Sequence, residues 1–169
     1  GILKRLRGTP IRRHTEAFAM RYSPDPPYDV LSTSCITFND MRRMNRFARF
    51  WDLIANSGRF KDTMPLVLGD APFARFLQLA DWIFAATGKT HEFALDRLYD
   101  LVYRALTEAF AIAPEGARAV LERDYLASGA RGAPAFLHAA TAIEPRDRVR
   151  AARTAERQAR HQTTRPALS

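Results

Sequence analysis

Apolar residues recur at helical spacing through most of this chain. From Asn39 onward, Met41, Met44, Ala48, Trp51 and Ala55 fall on one face, flanked by Phe47, Phe50 and Ile54. A stripe this wide predicts an amphipathic helix turned towards a core. Asn39 is the expected N-cap, the helix is expected to run to about Ser57, and Gly58 suits the position just past its end. A short helical turn, interrupted at Pro65, is expected over 62–68. Pro72 then reads as the first residue of a helix that reaches Ala86 and stops at Gly88. Phe73, Phe76, Leu77, Ala80, Ile83 and Phe84 follow at helical intervals, with Leu79 and Trp82 off that face. This helix is apolar nearly all round and is therefore expected to be central. Thr90 is the expected cap of the next helix, whose stripe is Leu95, Leu98, Leu101, Val102, Ala105, Leu106 and Ala109. Pro114 opens another, to about Ala127, carrying Ala117, Val120, Leu121 and Tyr125. Gly129, Gly132 and Pro134 then break the chain before Phe136-Leu137.

The N-terminal part follows a different pattern. Ile2–Leu6 is a short apolar and basic run closed by Gly8-Thr9-Pro10, compatible with a strand leaving a sheet, and Pro10 suits the entry to a helix over 12–21. Pro24, Pro26 and Pro27 remove backbone donors and push their predecessors into extended geometry. The chain is therefore expected to run as a stiff, polyproline-like strap through Leu31. Residues 146–162 favour a helix by propensity but almost lack an apolar stripe, which predicts a solvated tail. The fold class expected is all-α: a compact bundle of about five helices behind a non-helical, proline-rich N-terminal strap.

Composition narrows the function classes. The 169 residues are 47% hydrophobic, a globular share and enough for a real core. No apolar run approaches the roughly 20 residues that cross a bilayer, so no membrane partner is expected. Cys35 is the single cysteine; it excludes an internal disulfide and cannot alone hold a metal, and a cytoplasmic location is the expectation. The net charge of +8 invites a nucleic-acid reading. Only Lys4, Lys61 and Lys89 are lysines, however, and heavy arginine with heavy alanine is also what a GC-rich genome produces. Much of the excess lies at the two ends, where basic residues usually form solvated tails. No helix has helix-turn-helix spacing and no RNA-binding aromatic motif occurs, so a free-standing basic module that binds nucleic acid ranks second.

No catalytic signature stands out, and no catalytic residue or metal ligand is assigned. His14, His91, His138 and His161 are scattered, without metal spacing. Cys35 lacks a neighbouring base and reads as a small, buried or half-buried residue. Asp96 and Asp100 stand four residues apart with Arg97 and Arg104 nearby, which predicts a surface ion-pair lattice. Asp124-Tyr125 fits either a surface or a site. The candidate for recognition is Arg42, Arg46 and Arg49, which share a helix face with no acid to balance them before Asp52. Unbalanced arginines at helical spacing grip phosphate or carboxylate groups, whereas a merely solvated polar face is the plainer alternative. Asp52, Asn56 and Arg59 continue that surface. Phe60, Phe110 and Phe136, if exposed, would supply an apolar patch for a dimer; the oligomeric state stays open.

Two stretches carry a resemblance. Leu3-Lys4-Arg5-Leu6-Arg7-Gly8-Thr9-Pro10, followed by Tyr22-Ser23-Pro24-Asp25-Pro26-Pro27-Tyr28-Asp29-Val30-Leu31, resembles the segment that follows the catalytic barrel of cobalamin-binding radical SAM proteins. Residues 47–60, Pro72-Phe73 with Asp81-Trp82, and Asp124-Tyr125 with Phe136-Leu137 resemble a helical C-terminal domain of unknown function in one subgroup of that family. The resemblance covers about residues 1–138. It implies three parts: 1–37 as the end of an upstream barrel and its connector, 38–138 as the helical C-terminal domain, and 139–169 as a basic, solvated or disordered tail. It further implies a parent enzyme, of iron–sulfur oxidoreductase or methyltransferase type, using a 4Fe–4S cluster, S-adenosylmethionine and cobalamin. None of these cofactors, and no activity, is expected of this chain by itself. Its implied partner is the upstream barrel of the same chain. Gly8, Thr9 and Pro10 would then lie at the barrel edge, with Tyr22, Pro24, Asp25, Pro26 and Tyr28 in the connector. Away from that barrel, residues 1–31 are expected to lose packing partners and to be partly disordered or rearranged.

Overall fold

The computed structural model describes residues 3–138. The expected tail over 139–169 lies outside the described residues. The described chain is mostly helical: α1 Phe38–Ile54, α2 Met64–Leu68, α3 Pro72–Thr87, α4 Leu95–Glu108, α5 Pro114–Ala127 and a single turn, α6 Ala135–His138. Two short antiparallel strands, β1 Arg21–Tyr22 and β2 Val30–Ser32, precede them. The expected bundle is therefore present, with one helix more than anticipated and a small β-ribbon in place of the strap.

The ribbon corrects the polyproline expectation. At Ser23–Tyr28 the chain reverses: Tyr28 N–H donates to Asp25 O at 2.9 Å, and Ser23 N–H donates to Asp29 O at 2.8 Å. The Pro26–Pro27 peptide is cis. The prolines remove donors here, but the remaining ones close a local turn that outweighs extension. Leu3–Arg5 runs antiparallel to Tyr28–Val30, with Arg5 N–H on Tyr28 O and Val30 N–H on Leu3 O, both at 3.0 Å. The helix expected over 12–21 shrinks to a 3-10 turn at Pro10–His14. β2 packs on α1, and Val30 and Met41 are buried apart from the main core.

The main core is built in a row, α1 on α3, α3 on α4, and α4 on α5 and α6. Thr37, not Asn39, caps α1: its Oγ1 accepts from Asp40 N–H at 3.2 Å and donates to the Asp40 carboxylate at 2.7 Å. Pro72 and Pro114 open α3 and α5 as their φ angles suit, and Gly88 closes α3 with φ +67°. The expected cap Thr90 stands outside any helix, since α4 starts only at Leu95. Along α1 the deepest positions are Phe50 and Ile54, one step round from the expected stripe. On α3, Leu79 is fully buried whereas Phe73 is 58% exposed, the reverse of the expectation.

Tyr99 on α4 is the aromatic centre. Its ring stacks on Phe60 at 4.3 Å, meets Tyr125 edge-on at 5.0 Å and faces Phe136 at 6.4 Å, while its hydroxyl donates to Arg59 O. Phe60 and Phe136 are thus buried and unavailable for the dimer patch. Asp96 and Asp100 also depart from the surface lattice. Asp96 accepts from Tyr125 OH at 2.7 Å, and Asp100 accepts from Phe136 N–H at 2.9 Å, tying the last segment to α4. Gly132 passes so close to Asp96 that a Cβ there would overlap the carboxylate.

Among the described residues the most buried carboxylate is Asp124 on α5. It accepts from Asp62 N–H (3.0 Å), Thr63 N–H (2.8 Å) and Thr63 Oγ1 (2.7 Å), capping α2 across 61 residues of sequence. Replacing it leaves buried donors unpaired, so Asp124→Ala is expected to cost about 3 kcal/mol in urea unfolding, with Asp124→Asn intermediate. Burial pushes the Tyr99 hydroxyl up to about 12, and burial followed by the Asp96 carboxylate raises Tyr125 as well. Both states hold neutral Tyr99 below its ordinary value near 10, so stability is whole there. It should fall as pH rises from about 10 to about 12, because the unfolded chain ionises first. Tyrosinate absorbance recorded alongside circular dichroism checks this: the last tyrosine should ionise only as the helices are lost.

Candidate functional site

The expected recognition face lies on α1, and α3 decides how it is divided. The two helices run antiparallel along a seam made by Phe47 and Trp51 against Phe76, with ring centroids at 5.1 and 4.7 Å. Arg43 closes the seam at the N-terminal end of α1, donating from Nε to the Asp81 carboxylate at 2.7 Å. That hydrogen bond, followed by the charge of Asp81, raises the Arg43 pKa further. Asp81 was not foreseen as a partner: it comes from α3, 38 residues away, and supplies the balance that α1 lacks locally.

Helical spacing places residues 42, 45, 46 and 49 on one flank of the buried Phe50–Ile54 line, and 44, 47, 48 and 51 on the other. On the first flank, Arg42, Asn45 and Arg46 line a cleft of about 350 Å³ with Phe84 and Thr90. The Arg46 guanidinium lies over the Phe84 ring, 4.5 Å from its centroid, and 3.7 Å from Asp81. Its Nε–H is buried with no acceptor. Arg42 lies over Phe38 at 5.8 Å. Arg49 is drawn away, donating to Thr90 O at 3.3 Å.

On the second flank, Met44, Phe47, Ala48, Trp51 and Phe73 form an apolar groove of about 500 Å³, with Asp52 and Asn56 at its edge. Asn56 donates to Asp52 at 2.7 Å, so these two largely satisfy each other. Arg59 follows in the turn after α1 and contributes its carbonyl to Tyr99. The six candidates therefore do not form one surface. Arg42 and Arg46 meet in one cleft, Asp52 and Asn56 edge another, and Arg49 and Arg59 serve neither.

The N-terminal candidates have local structural explanations. Gly8 takes φ +77° in a turn closed by Thr9, whose N–H and Oγ1 both donate to Leu6 O, and Pro10 starts the 3-10 turn. Tyr22 OH donates to Met20 Sδ at 3.2 Å, and Arg5 lies over the Tyr22 ring at 5.0 Å. Pro24, Asp25 and Pro26 are exposed at the ribbon tip, and Tyr28 has φ +60°. Cys35 is exposed rather than buried, because Thr33 Oγ1 accepts from the N–H groups of Cys35 and Ile36 and turns this loop outwards.

The groove yields a simple contrast. Phe76 is fully buried in the seam, so Phe76→Ala should cost about 4 kcal/mol, whereas Phe73→Ala should cost about 1 kcal/mol or less in the same urea titration.

No curated protein matches this sequence. No solved structure matches it. One family model does match, spanning residues 16–167, and therefore both the ribbon's strands and the whole helical body. The chain belongs to that family, described as Protein of unknown function (DUF4080).

Proposed function

We propose that this chain is the C-terminal accessory domain of a cobalamin-dependent radical SAM enzyme. It docks on the upstream barrel through its N-terminal ribbon and performs no chemistry of its own. The observation that carries this reading is where the apolar surface lies. Of the seven large apolar side chains exposed among the described residues, Leu3, Leu6, Phe18, Ile36 and Phe38 all belong to the ribbon or its junction with α1. Leu3 and Leu6 lie in the stretch that resembles the barrel exit, Phe18 between it and the connector, and Ile36 and Phe38 just after the connector. Apolar surface concentrated in one segment favours burial against a partner. The upstream barrel is the partner that the resemblance supplies.

The donor set of this chain does not fit a 4Fe–4S cluster. Cys35 is its one cysteine, and among the described residues no three His, Cys, Asp or Glu side chains converge on a point. The cluster, S-adenosylmethionine and cobalamin are accordingly assigned to the neighbouring sequence. What the helical body contributes in this reading is cover: excluding water from radical chemistry at the barrel mouth, or presenting α1 to the substrate.

The coding sequence upstream of Gly1 tests the reading directly. It should contain Cys-x3-Cys-x2-Cys, preceded by an Asp-x-His-x2-Gly cobalamin motif. In the contiguous protein, amides of residues 3–18 should exchange with deuterium at least tenfold more slowly than in the 169-residue chain. An upstream region without the cysteine triad, or equal exchange in both proteins, would overturn the proposal.

A further inference from the structure

We infer that the cleft between α1 and the end of α3 is a binding site for a small oxyanion, the phosphoryl or carboxylate group of a compact ligand held by Arg42 and Arg46. This inference stands on the cleft alone and does not depend on the parent enzyme.

The chemistry of the lining gives the sign of the ligand. Two guanidiniums, one carboxamide and one hydroxyl face about 350 Å³, and no carboxylate lines it. Asp81, the nearest acid, is engaged by Arg43 through both a hydrogen bond and a salt bridge. Asp40, on the first turn of α1, is held by Thr37. The Thr90 carbonyl accepts from Arg49. The acids nearest the cleft are thus engaged, and the charged groups of its lining are both cationic.

The geometry of Arg46 gives the type of contact. Its guanidinium is held by its face, on Phe84, and from one side by Asp81 at 3.7 Å. It is not held through Nε, which is buried and unpaired. With Nε buried out of a ligand's reach, the terminal Nη groups are the donors that this stacked guanidinium offers to a planar or tetrahedral oxyanion, which accepts two N–H groups at once. Arg42 stands one helical turn away on the same flank, exposed, resting on Phe38, with no ion pair among the described residues. Two forks one turn apart on one face form a pincer. The cleft holds a group the size of a phosphate monoester or a short carboxylic acid, and is too small for a strand of nucleic acid.

The test uses the full 169-residue chain at constant ionic strength, titrated with inorganic phosphate, with acetate, and with chloride as the control. The arginine Nε–Hε resonances are followed by NMR. Saturable movement of the Arg42 and Arg46 signals is expected, with Arg104, paired to Glu108 outside the cleft, unmoved. Stronger binding of phosphate assigns a phosphoryl ligand; binding of acetate equal to or tighter than phosphate assigns a carboxylate. Arg46→Gln and Arg42→Gln should each weaken binding about tenfold. Arg42 is exposed, so its variant keeps the test intact if Arg46→Gln disturbs folding. Signals that move no further with phosphate or acetate than with chloride, or an Arg42→Gln variant that binds as the unaltered chain does, would overturn the inference.

Discussion

The short helix α2 is the piece on which the body's geometry turns, and it survives because both of its ends are held by side chains from elsewhere. Five residues cannot sustain a helix in water, because nucleation costs more than so few hydrogen bonds return. At its N-terminus the Asp124 carboxylate takes the free N–H groups and the Thr63 hydroxyl. At its C-terminus the Arg75 guanidinium donates to Leu66 O and Val67 O at 2.9 and 2.8 Å, with its face on Phe110. Anion at the start and cation at the end both agree with the helix dipole. Gly69, at φ +48°, lets Arg75 approach, since a Cβ there would lie 2.9 Å from its Nε. The clamp joins α5, α2 and α3, and it sets Phe60 and Val67 into the core between them.

The helices are legible in the sequence because their signals are local. Pro72, Gly88 and Pro114 act on their own φ angles, and the Leu95–Leu106 stripe declares its face within one helix. The polar ties are not legible, because each joins residues far apart. Asp124 to Thr63 spans 61 positions, Asp81 to Arg43 spans 38, and Asp100 to Phe136 spans 36. Seen locally, Asp96 and Asp100 have arginines within reach and suggest a surface lattice; the packing of α5 gives Asp96 its partner Tyr125, and the return of the chain past Gly132 gives Asp100 the N–H of Phe136. The proline-rich segment misled for a related reason. Its prolines suggest extension, while the hydrogen bonds of Ser23 and Tyr28 that reverse it depend on Asp25 and Asp29 lying in register.

Spacing defines the arginine face of α1, and packing divides it. Spacing brings Arg42 and Arg46 to one flank, and it cannot reveal that Arg49 turns to Thr90 or that Asp52 is occupied by Asn56. The second observation that sharpens the site, Phe84 beneath Arg46, belongs to α3, where Phe84 reads as one more apolar residue in a core stripe.

The two clefts lie on either side of one line of contact and share a wall, the helix α1. Phe47 and Trp51 hold α1 against Phe76 of α3 and also line the apolar groove. An occupant of that groove would rest on the same side chains that fix α1, the helix that carries Arg42 and Arg46.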